Sequence, residues 1–275
     1  MLKKVLKYDC RTLFRIWWIA AVVTVAMSVL GGFAETVYQR EGRVPEMITV
    51  TAGMAIFFAY LCMVLLVILS EVLVFMRYYR NFFTDEGYLT FTLPVKRETL
   101  LNSKILSGLA LMAASGGVCI LGNFLMFFIS DFERFRTGEY FRDVASFFRE
   151  IPVEIRGYLL VYLLEALLIL GLLLILSLLF LYCCITFGSM IVKKGKLLAS
   201  IGIYFGAHSM FSFNSQLLTI FGAASIGVWM DDLSLDATPK IVILLLLAII
   251  LLLAVFSALI YAFTYWMLGR KLNLN

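Results

Sequence analysis

Residues 241–260 read IVILLLLAIILLLAVFSALI, an apolar run interrupted only by Ser257. A membrane-spanning helix needs roughly 20 predominantly apolar residues to cross a hydrocarbon core about 30 Å thick. The run meets that length, and the basic pair Arg270–Lys271 follows it where a helix would leave the membrane. This stretch therefore predicts a membrane-spanning helix with a positively charged end.

The rest of the chain has the same character, because 63% of its 275 residues are apolar and only 15% are charged. Soluble domains are typically about 45–50% apolar and about 25% charged. The composition excludes three classes of protein, namely nucleic-acid binders, secreted disulfide scaffolds and disordered chains. It predicts an all-α, polytopic membrane protein embedded in a lipid bilayer.

The apolar residues fall into six blocks, which we interpret as six transmembrane helices in a single domain, 1–275. The spans are predicted at about 16–34, 51–76, 105–130, 157–187, 197–213 and 241–268. The fifth block continues to residue 229, and a helix of that length would measure about 50 Å, more than one crossing requires. We therefore expect a break after residue 213, followed by a re-entrant or interfacial segment over 217–230.

Lysine and arginine are unevenly distributed between the two sides of this arrangement. Fifteen lie in the N-terminal segment, the 77–104 loop, the 193–196 loop and the C-terminal tail, whereas eight lie on the opposite side. Because basic residues favour the cytoplasm, both termini are predicted to be cytoplasmic. Topology thus explains the net charge of +5, and no nucleic-acid partner is expected.

Small residues at helical spacing mark the spans that we expect to pack together, since helices in lipid associate through close backbone approach. Three spans carry them: Ala20, Thr24, Ser28 and Gly32 on the first, Ser107, Ala110, Ala114 and Gly117 on the third, and Gly202 and Gly206 on the fifth. These spans are predicted to form the interior. The leucine-rich fourth and sixth spans are predicted to face lipid.

Polar side chains within the spans are the candidates for function. A stripe with a spacing of four residues lies on one face of the fifth span: Ser200, Tyr204, His208, Ser212 and Gln216. The stripe either forms hydrogen bonds between helices or lines a substrate path or dimer seam. Glu165 lies eight residues into the fourth span, and an intramembrane acid is costly enough to be a functional candidate. Glu71, near the inner end of the second span, is the other acid within a span, and it could be solvated or paired with Arg77. A proton relay would need more titratable groups than these two acids, and His208 is the only further one.

No catalytic set of residues stands out in the sequence. The single histidine excludes an HExxH zinc site, and neither a GxSxG elbow nor a GxxxxGK[ST] phosphate loop occurs. All aspartates are assigned to loops, which argues against an intramembrane aspartyl protease, and the five cysteines lack metal-ligand spacing. We expect a chain that is not an enzyme and binds no cofactor or metal itself.

The connection between the second and third spans has an unusual composition for a simple tether. Residues 77–97 read RYYRNFFTDEGYLTFTLPVKR and combine aromatic residues with an acidic pair, a glycine and a proline. Gly87 permits a sharp turn and Pro94 can begin a new helix, which predicts a short structured element. Exposed aromatic residues on a cytoplasmic loop suggest that a partner docks there. The alternative is a re-entrant or interfacial helix without a partner.

The run NFFTDEGYLTFTLPV over 81–95, with Ser103–Lys104 following, resembles the signature of permease subunits of type-2 ABC transporters from Gram-positive bacteria. The resemblance is close in this loop and rests elsewhere on the six-span layout and the lysine-rich amino end. In that family the loop holds a coupling helix that fits a groove on a separate ATPase. The resemblance implies an ATPase-coupling loop containing Asp85, Glu86, Gly87, Tyr88, Leu93 and Pro94.

The resemblance also implies partners. Two permease chains, as a homodimer or a heterodimer, would assemble with two ATPase chains that bind ATP and Mg. The complex would be an exporter in the bacterial cytoplasmic membrane. Two alternatives stay open: an ATPase-independent secondary transporter or channel, and a non-transporting accessory membrane subunit. A secondary transporter predicts an internal repeat, and none relates the first three spans to the last three.

Overall fold

The architecture is taken from a computed structural model, which describes residues 2–39, 45–84, 87, 96–151, 153–192, 195–210 and 238–270. This part of the chain contains helices and no strand, so the all-α fold class is confirmed. In chain order the helices are α1 (Leu2–Tyr38), α2 (Glu46–Phe83), α3 (Arg97–Ser130), α4 (Phe132–Arg136), α5 (Glu139–Glu150), α6 (Val153–Arg156), α7 (Leu159–Ile191), α8 (196–210) and α9 (Thr238–Arg270).

Five of the described helices are long and apolar enough to cross a membrane, namely α1, α2, α3, α7 and α9. They correspond to five of the predicted spans and give the chain the make-up of a multi-pass membrane protein. The remaining predicted span begins in α8, whose described part, 196–210, is shorter than one crossing requires. The end of that span and the predicted segment 217–230 lie outside the described residues.

The long helices extend well beyond the predicted apolar cores. α1 has 37 residues and α2 has 38, so each is about 55 Å long at 1.5 Å per residue. Hydropathy locates only the apolar part of a helix, whereas lysine, arginine and glutamate are good helix formers that let the helix continue. One consequence corrects the sequence reading, because Asp9 lies inside α1 rather than in a loop.

Contacts divide the chain into two compact units. The first contains Met1–Arg77 and Asn102–Glu150, and the second contains Tyr78–Leu101 and Ile151–Asn275. In the first unit a buried hydrogen-bond network joins three helices. Trp17 Nε1 donates to Ser115 Oγ over 2.8 Å, and Ser115 Oγ also bonds to Ser70 Oγ. Such bonds help to hold helices together where apolar burial does not distinguish protein from lipid.

Close backbone approach in the first unit occurs at α1 as predicted, but on another face of α3. A Cβ atom built on Gly122 would lie 2.6 Å from Ser28 Oγ, so α1 and α3 touch there. The buried face of α3 includes Ser103, Ser107 and Ser115. The predicted face is wrong at Ala110 and Gly117, which are exposed, whereas Ser107 is buried and Ala114 is half-buried. The buried face carries Ser103 and Ser115, which bond to other helices.

In the second unit α7 packs against α9 and against α8. A Cβ atom on Gly188 of α7 would lie only 2.7 Å from the Cα atom of Ser200 in α8. The buried residues of α7 fall almost entirely in its C-terminal half, so the prediction that this helix faces lipid is wrong for that half. Only 6% of the most apolar 18-residue stretch of α9 is buried, as expected of a helix that faces lipid.

Candidate functional site

The end of α2, where the chain enters the 84–96 segment, is fixed by aromatic contacts within the second unit. Tyr78 is fully buried, and its ring stacks on Tyr182 of α7 with ring centroids 4.0 Å apart and planes inclined by 10°. Phe82, one turn further along α2, is also buried and meets Tyr78 edge to face at 4.9 Å. Aromatic pairs of this kind contribute about 0.5–1.5 kcal/mol beyond their buried area.

A hydrogen bond adds direction to this aromatic contact. Tyr78 Oη lies 3.0 Å from Thr186 Oγ1, and both groups are buried. The Thr186 hydroxyl already donates to the carbonyl oxygen of Tyr182 over 2.7 Å. Because a threonine hydroxyl has one proton to donate, the Tyr78 hydroxyl is the donor to Thr186. The last turns of α2 are therefore held in one register against α7.

The other flank of the segment, the start of α3, is fixed to α9. Arg97 Nη1 donates to the carbonyl oxygen of Gly269 over 3.1 Å. This carbonyl lies in the last turn of α9, where backbone oxygens lack partners within the helix and favour a cation. Leu100 and Leu101 follow in α3 and are buried. Both ends of the 84–96 segment thus rest on side chains anchored within the second unit.

Gly87 is the one residue of the predicted coupling loop that the structure describes. It is buried, and its backbone N–H donates to the carbonyl oxygen of Thr84 over 2.7 Å. Gly87 is in a helical conformation, and the sharp turn predicted at this glycine stays a prediction. The other predicted residues of the loop lie outside the described residues, namely Asp85, Glu86, Tyr88, Leu93 and Pro94.

An ionic cluster in the first unit joins α1, α2 and α3. Asp9 Oδ1 accepts hydrogen bonds from Arg77 Nη2 at 3.0 Å, from Arg77 Nε at 3.1 Å and from Lys104 Nζ at 2.6 Å. The other carboxylate oxygen accepts from Ser103 Oγ at 2.9 Å. Asp9 and Lys104 are each only 2% exposed, whereas a quarter of the Arg77 side chain is accessible.

Burial makes this cluster energetically demanding. Moving two opposite charges out of water costs free energy. Their attraction offsets that cost only where the geometry is good and the remaining oxygens are hydrogen-bonded. Asp9 meets that condition, since both of its oxygens have partners. The cluster was not predicted, because Asp9 was assigned to a loop between basic residues. The signal that could have found it is a single acid in the helical run of α1, together with the Ser103–Lys104 pair near the start of α3.

The predicted polar stripe is only partly within the described residues. Ser200 is fully buried and donates to a carbonyl oxygen of its own helix, that of Lys196, over 2.8 Å, with the Ile185 carbonyl of α7 at 3.2 Å. Tyr204 is half-buried and His208 is exposed, with their rings 5.8 Å apart and nearly parallel. Ser212 and Gln216 lie outside the described residues. Whether the stripe lines a path remains a prediction.

Glu165 is located in the first third of α7 and is only 4% exposed. Its Oε2 atom is buried and has no hydrogen-bond partner among the described residues. It is also the one buried residue in the N-terminal half of α7, whose other side chains are more accessible. A buried carboxyl oxygen without a partner is unusual enough to require an explanation. Glu165 therefore stays a candidate functional acid.

The described residues offer no metal centre, since no three His, Cys, Asp or Glu side chains among them lie close enough to share an ion. What the site does offer is mechanical: a buried aromatic contact on one flank of a short segment and an exposed hydrogen bond on the other fix both flanks to specific helices. No protein-family model matches the chain, and no curated protein or solved structure shows significant similarity to it. Its function is therefore inferred from these contacts and from the sequence of residues 81–95.

Proposed function

We propose that the chain is the membrane-spanning permease subunit of an ABC transporter, an exporter of the bacterial cytoplasmic membrane. The observation that supports this most is the anchoring of the 84–96 segment. The preceding turn of α2 holds Tyr78 against Tyr182, and the following turn of α3 holds Arg97 against the Gly269 carbonyl. A displacement of these two helix ends would therefore act on α7 and α9.

In this proposal the segment is the contact for a separate ATPase. ATP and Mg bind to the partner, whose two copies close on the nucleotide and move the segments of two permease chains. The chain has six spans in this proposal, with both termini and the segment in the cytoplasm. α7 and α9 then move with the segment, and the seam between the two permease chains opens alternately to each side. Tyr204 and His208 are our candidates for residues along that seam.

The proposal is tested by replacing 85–94 with a Gly/Ser linker of equal length and purifying the chain with its ATPase. The linker removes the acidic pair, the aromatic residues and Pro94 but leaves the buried anchor Tyr78 and the exposed anchor Arg97 unchanged. The matched control replaces 40–44, the connection between the first two spans, with a Gly/Ser linker. We expect the first variant to lose the ATPase and the control to retain it.

Three results would overturn the proposal. Retention of a normal complex by the 85–94 variant would show that the ATPase binds elsewhere. Absence of any ATPase from the wild-type preparation, with transport by the purified chain alone, would indicate a secondary transporter or channel. A complex that forms but moves no substrate would indicate an accessory subunit.

Glu165 favours a second candidate function, an ion-coupled transporter that needs no ATPase. A carboxyl group buried at membrane depth is a common element of ion pathways. This candidate predicts that transport in vesicles follows an ion gradient in the absence of ATP, and that Glu165→Gln abolishes it. The ABC proposal predicts instead that transport requires ATP and that the Gln variant still forms the complex.

A further inference from the structure

α5, the helix Glu139–Glu150, separates its apolar and polar residues completely. At 100° per residue its apolar side chains occupy an arc of roughly 160° and its polar side chains the remainder. The apolar face consists of Tyr140, Phe141, Val144, Ala145, Phe147 and Phe148. None of the twelve residues of α5 is buried, and the three phenylalanines of its apolar face are 50–65% exposed.

This apolar face is joined to a membrane-spanning helix of the same unit. The ring of Tyr140, in the first turn of α5, stacks on Phe135 of α4 at 4.6 Å and meets Phe127 of α3 edge to face at 5.4 Å. Phe127 is itself partly exposed, and Phe124, one turn earlier in α3, is 56% exposed. The exposed aromatic surface at the end of α3 therefore continues onto α5.

The charges on the polar face of α5 indicate the kind of surface that the helix contacts. Its acids and its arginines occupy opposite flanks, an arrangement that keeps both in water when the apolar face is down. Arg134 of α4 bonds to Asp143 of α5 at 2.7 Å, and Arg136 lies 3.5 Å from Glu133. The 131–156 region holds six acids and five arginines, so it is nearly neutral. A nearly neutral helix has little charge with which to seek an anionic surface.

We propose that α5 is an interfacial membrane helix, with the face bearing Phe141 and Phe148 embedded at the boundary between lipid headgroups and acyl chains. It fixes the membrane depth of the end of α3 to which Tyr140 attaches it. The occupant of the apolar face is the bilayer, because the face continues the exposed surface of a spanning helix. Apolar contact rather than attraction to anionic lipid holds it there. This role requires only that the chain spans a membrane, so it holds for a channel as well as for an ABC transporter.

The test places a tryptophan on each face of α5 in the full-length chain. Phe148→Trp reports the apolar face and Ser146→Trp, two residues away, reports the polar face. Both variants are reconstituted in phosphatidylcholine vesicles with or without brominated acyl chains, and wild-type emission from the four native tryptophans is subtracted. Acrylamide serves as the aqueous quencher. Phe141→Trp repeats the measurement at a second exposed apolar position.

We expect the brominated lipid to quench the tryptophan at position 148 several-fold more strongly than that at position 146, and acrylamide to show the reverse order. Equal access of acrylamide to both positions would overturn the proposal in favour of a solvated connector. Protection of position 148 from both quenchers would also overturn it, because a protein partner or a second copy would then cover the face.

Lipid charge provides the second discriminating measurement. Replacing part of the phosphatidylcholine with phosphatidylglycerol should leave the quenching ratio between positions 148 and 146 unchanged. If position 148 is quenched by brominated lipid only when phosphatidylglycerol is present, apolar contact is not what holds the helix, and the proposal fails.

Discussion

Replacing Asp9 with asparagine is the most informative single change in the first unit. The amide keeps the size of the side chain but removes the negative charge that faces Arg77 and Lys104. Lys104 then remains as a buried cation that has lost its closest carboxylate, at 2.6 Å. Removing one partner of a buried ion pair typically costs about 3–5 kcal/mol, much more than losing an exposed pair.

The two cations do not contribute equally to this cost. The Lys104 side chain is 3% exposed, so little water screens its charge after the substitution. The Arg77 side chain is 25% exposed, and water screens part of its charge after the substitution. We therefore expect Asp9→Asn to destabilise the chain by about 3–5 kcal/mol, with most of the loss arising at Lys104.

The cysteines supply an assay. Five free cysteines occur at buried or half-buried positions, so a thiol-reactive fluorogenic dye reports unfolding in detergent. At about 2–4 °C for each kcal/mol in a chain of this size, the expected fall in Tm is roughly 6–20 °C. The matched control is Glu98→Gln, an exposed acid in the first turn of α3, where the loss should stay below about 1 kcal/mol.

A double substitution decides whether the cost arises from the ion pair. Lys104→Met removes the buried cation, so Asp9→Asn should cost much less in that background than in the wild type. The reasoning is refuted if Asp9→Asn lowers Tm no more than Glu98→Gln does. It is also refuted if the effects of Asp9→Asn and Lys104→Met simply add.

Three further predictions concern the second unit. Gly188→Ala should lower the free energy of unfolding by about 1–3 kcal/mol, because its Cβ would lie 2.7 Å from a backbone atom of Ser200. Gly202→Ala has open space around its Cβ and should raise the free energy of unfolding by about 0.5–1 kcal/mol. Equal Tm values for the two variants would contradict this. Tyr78→Phe removes the buried 3.0 Å hydrogen bond to Thr186 but keeps the ring stacked on Tyr182, and should destabilise the chain by about 0.5–1.5 kcal/mol in the same assay. A larger loss would indicate that the ring had moved. Under the proposed function, His208→Leu, at an exposed position, should alter substrate-stimulated ATPase activity in a reconstituted complex without changing assembly. Unchanged stimulation would leave His208 without a transport role.

The sequence predicted where the spanning helices lie but not where they end. A run such as 241–260 is recognised because lipid requires about 20 apolar residues, and α9 contains it entirely. The ends depend on flanking residues that are polar yet helical. At the start of α1 this error had a structural consequence, since residues counted as a cytoplasmic tail are helical and contain Asp9.

The packing faces were predictable only where small residues coincide with polar contacts between helices. On α1, Thr24 and Ser28 are buried as predicted. On α3 the same rule selected Ala110 and Gly117, but the buried face is the one that carries Ser115, which bonds to Trp17. Small residues permit close approach on any face. Which face is used depends on the neighbouring helix, which a single sequence does not specify.

Hydrogen bonds to other helices occur at both helix ends that flank the 84–96 segment. At the end of α2, Arg77 bonds to α1 in the first unit, and Tyr78, the next residue, bonds to α7 in the second. At the start of α3, Arg97 bonds to α9 in the second unit, whereas Lys104 bonds to α1 in the first. Lipid competes with apolar contacts between helices. Hydrogen bonds and ion pairs between helices therefore specify which helices respond when a helix end is displaced. Within the first unit a displacement of these helix ends would reach α1 through charged hydrogen bonds, and within the second unit it would reach α7 and α9 through an aromatic stack and a guanidinium.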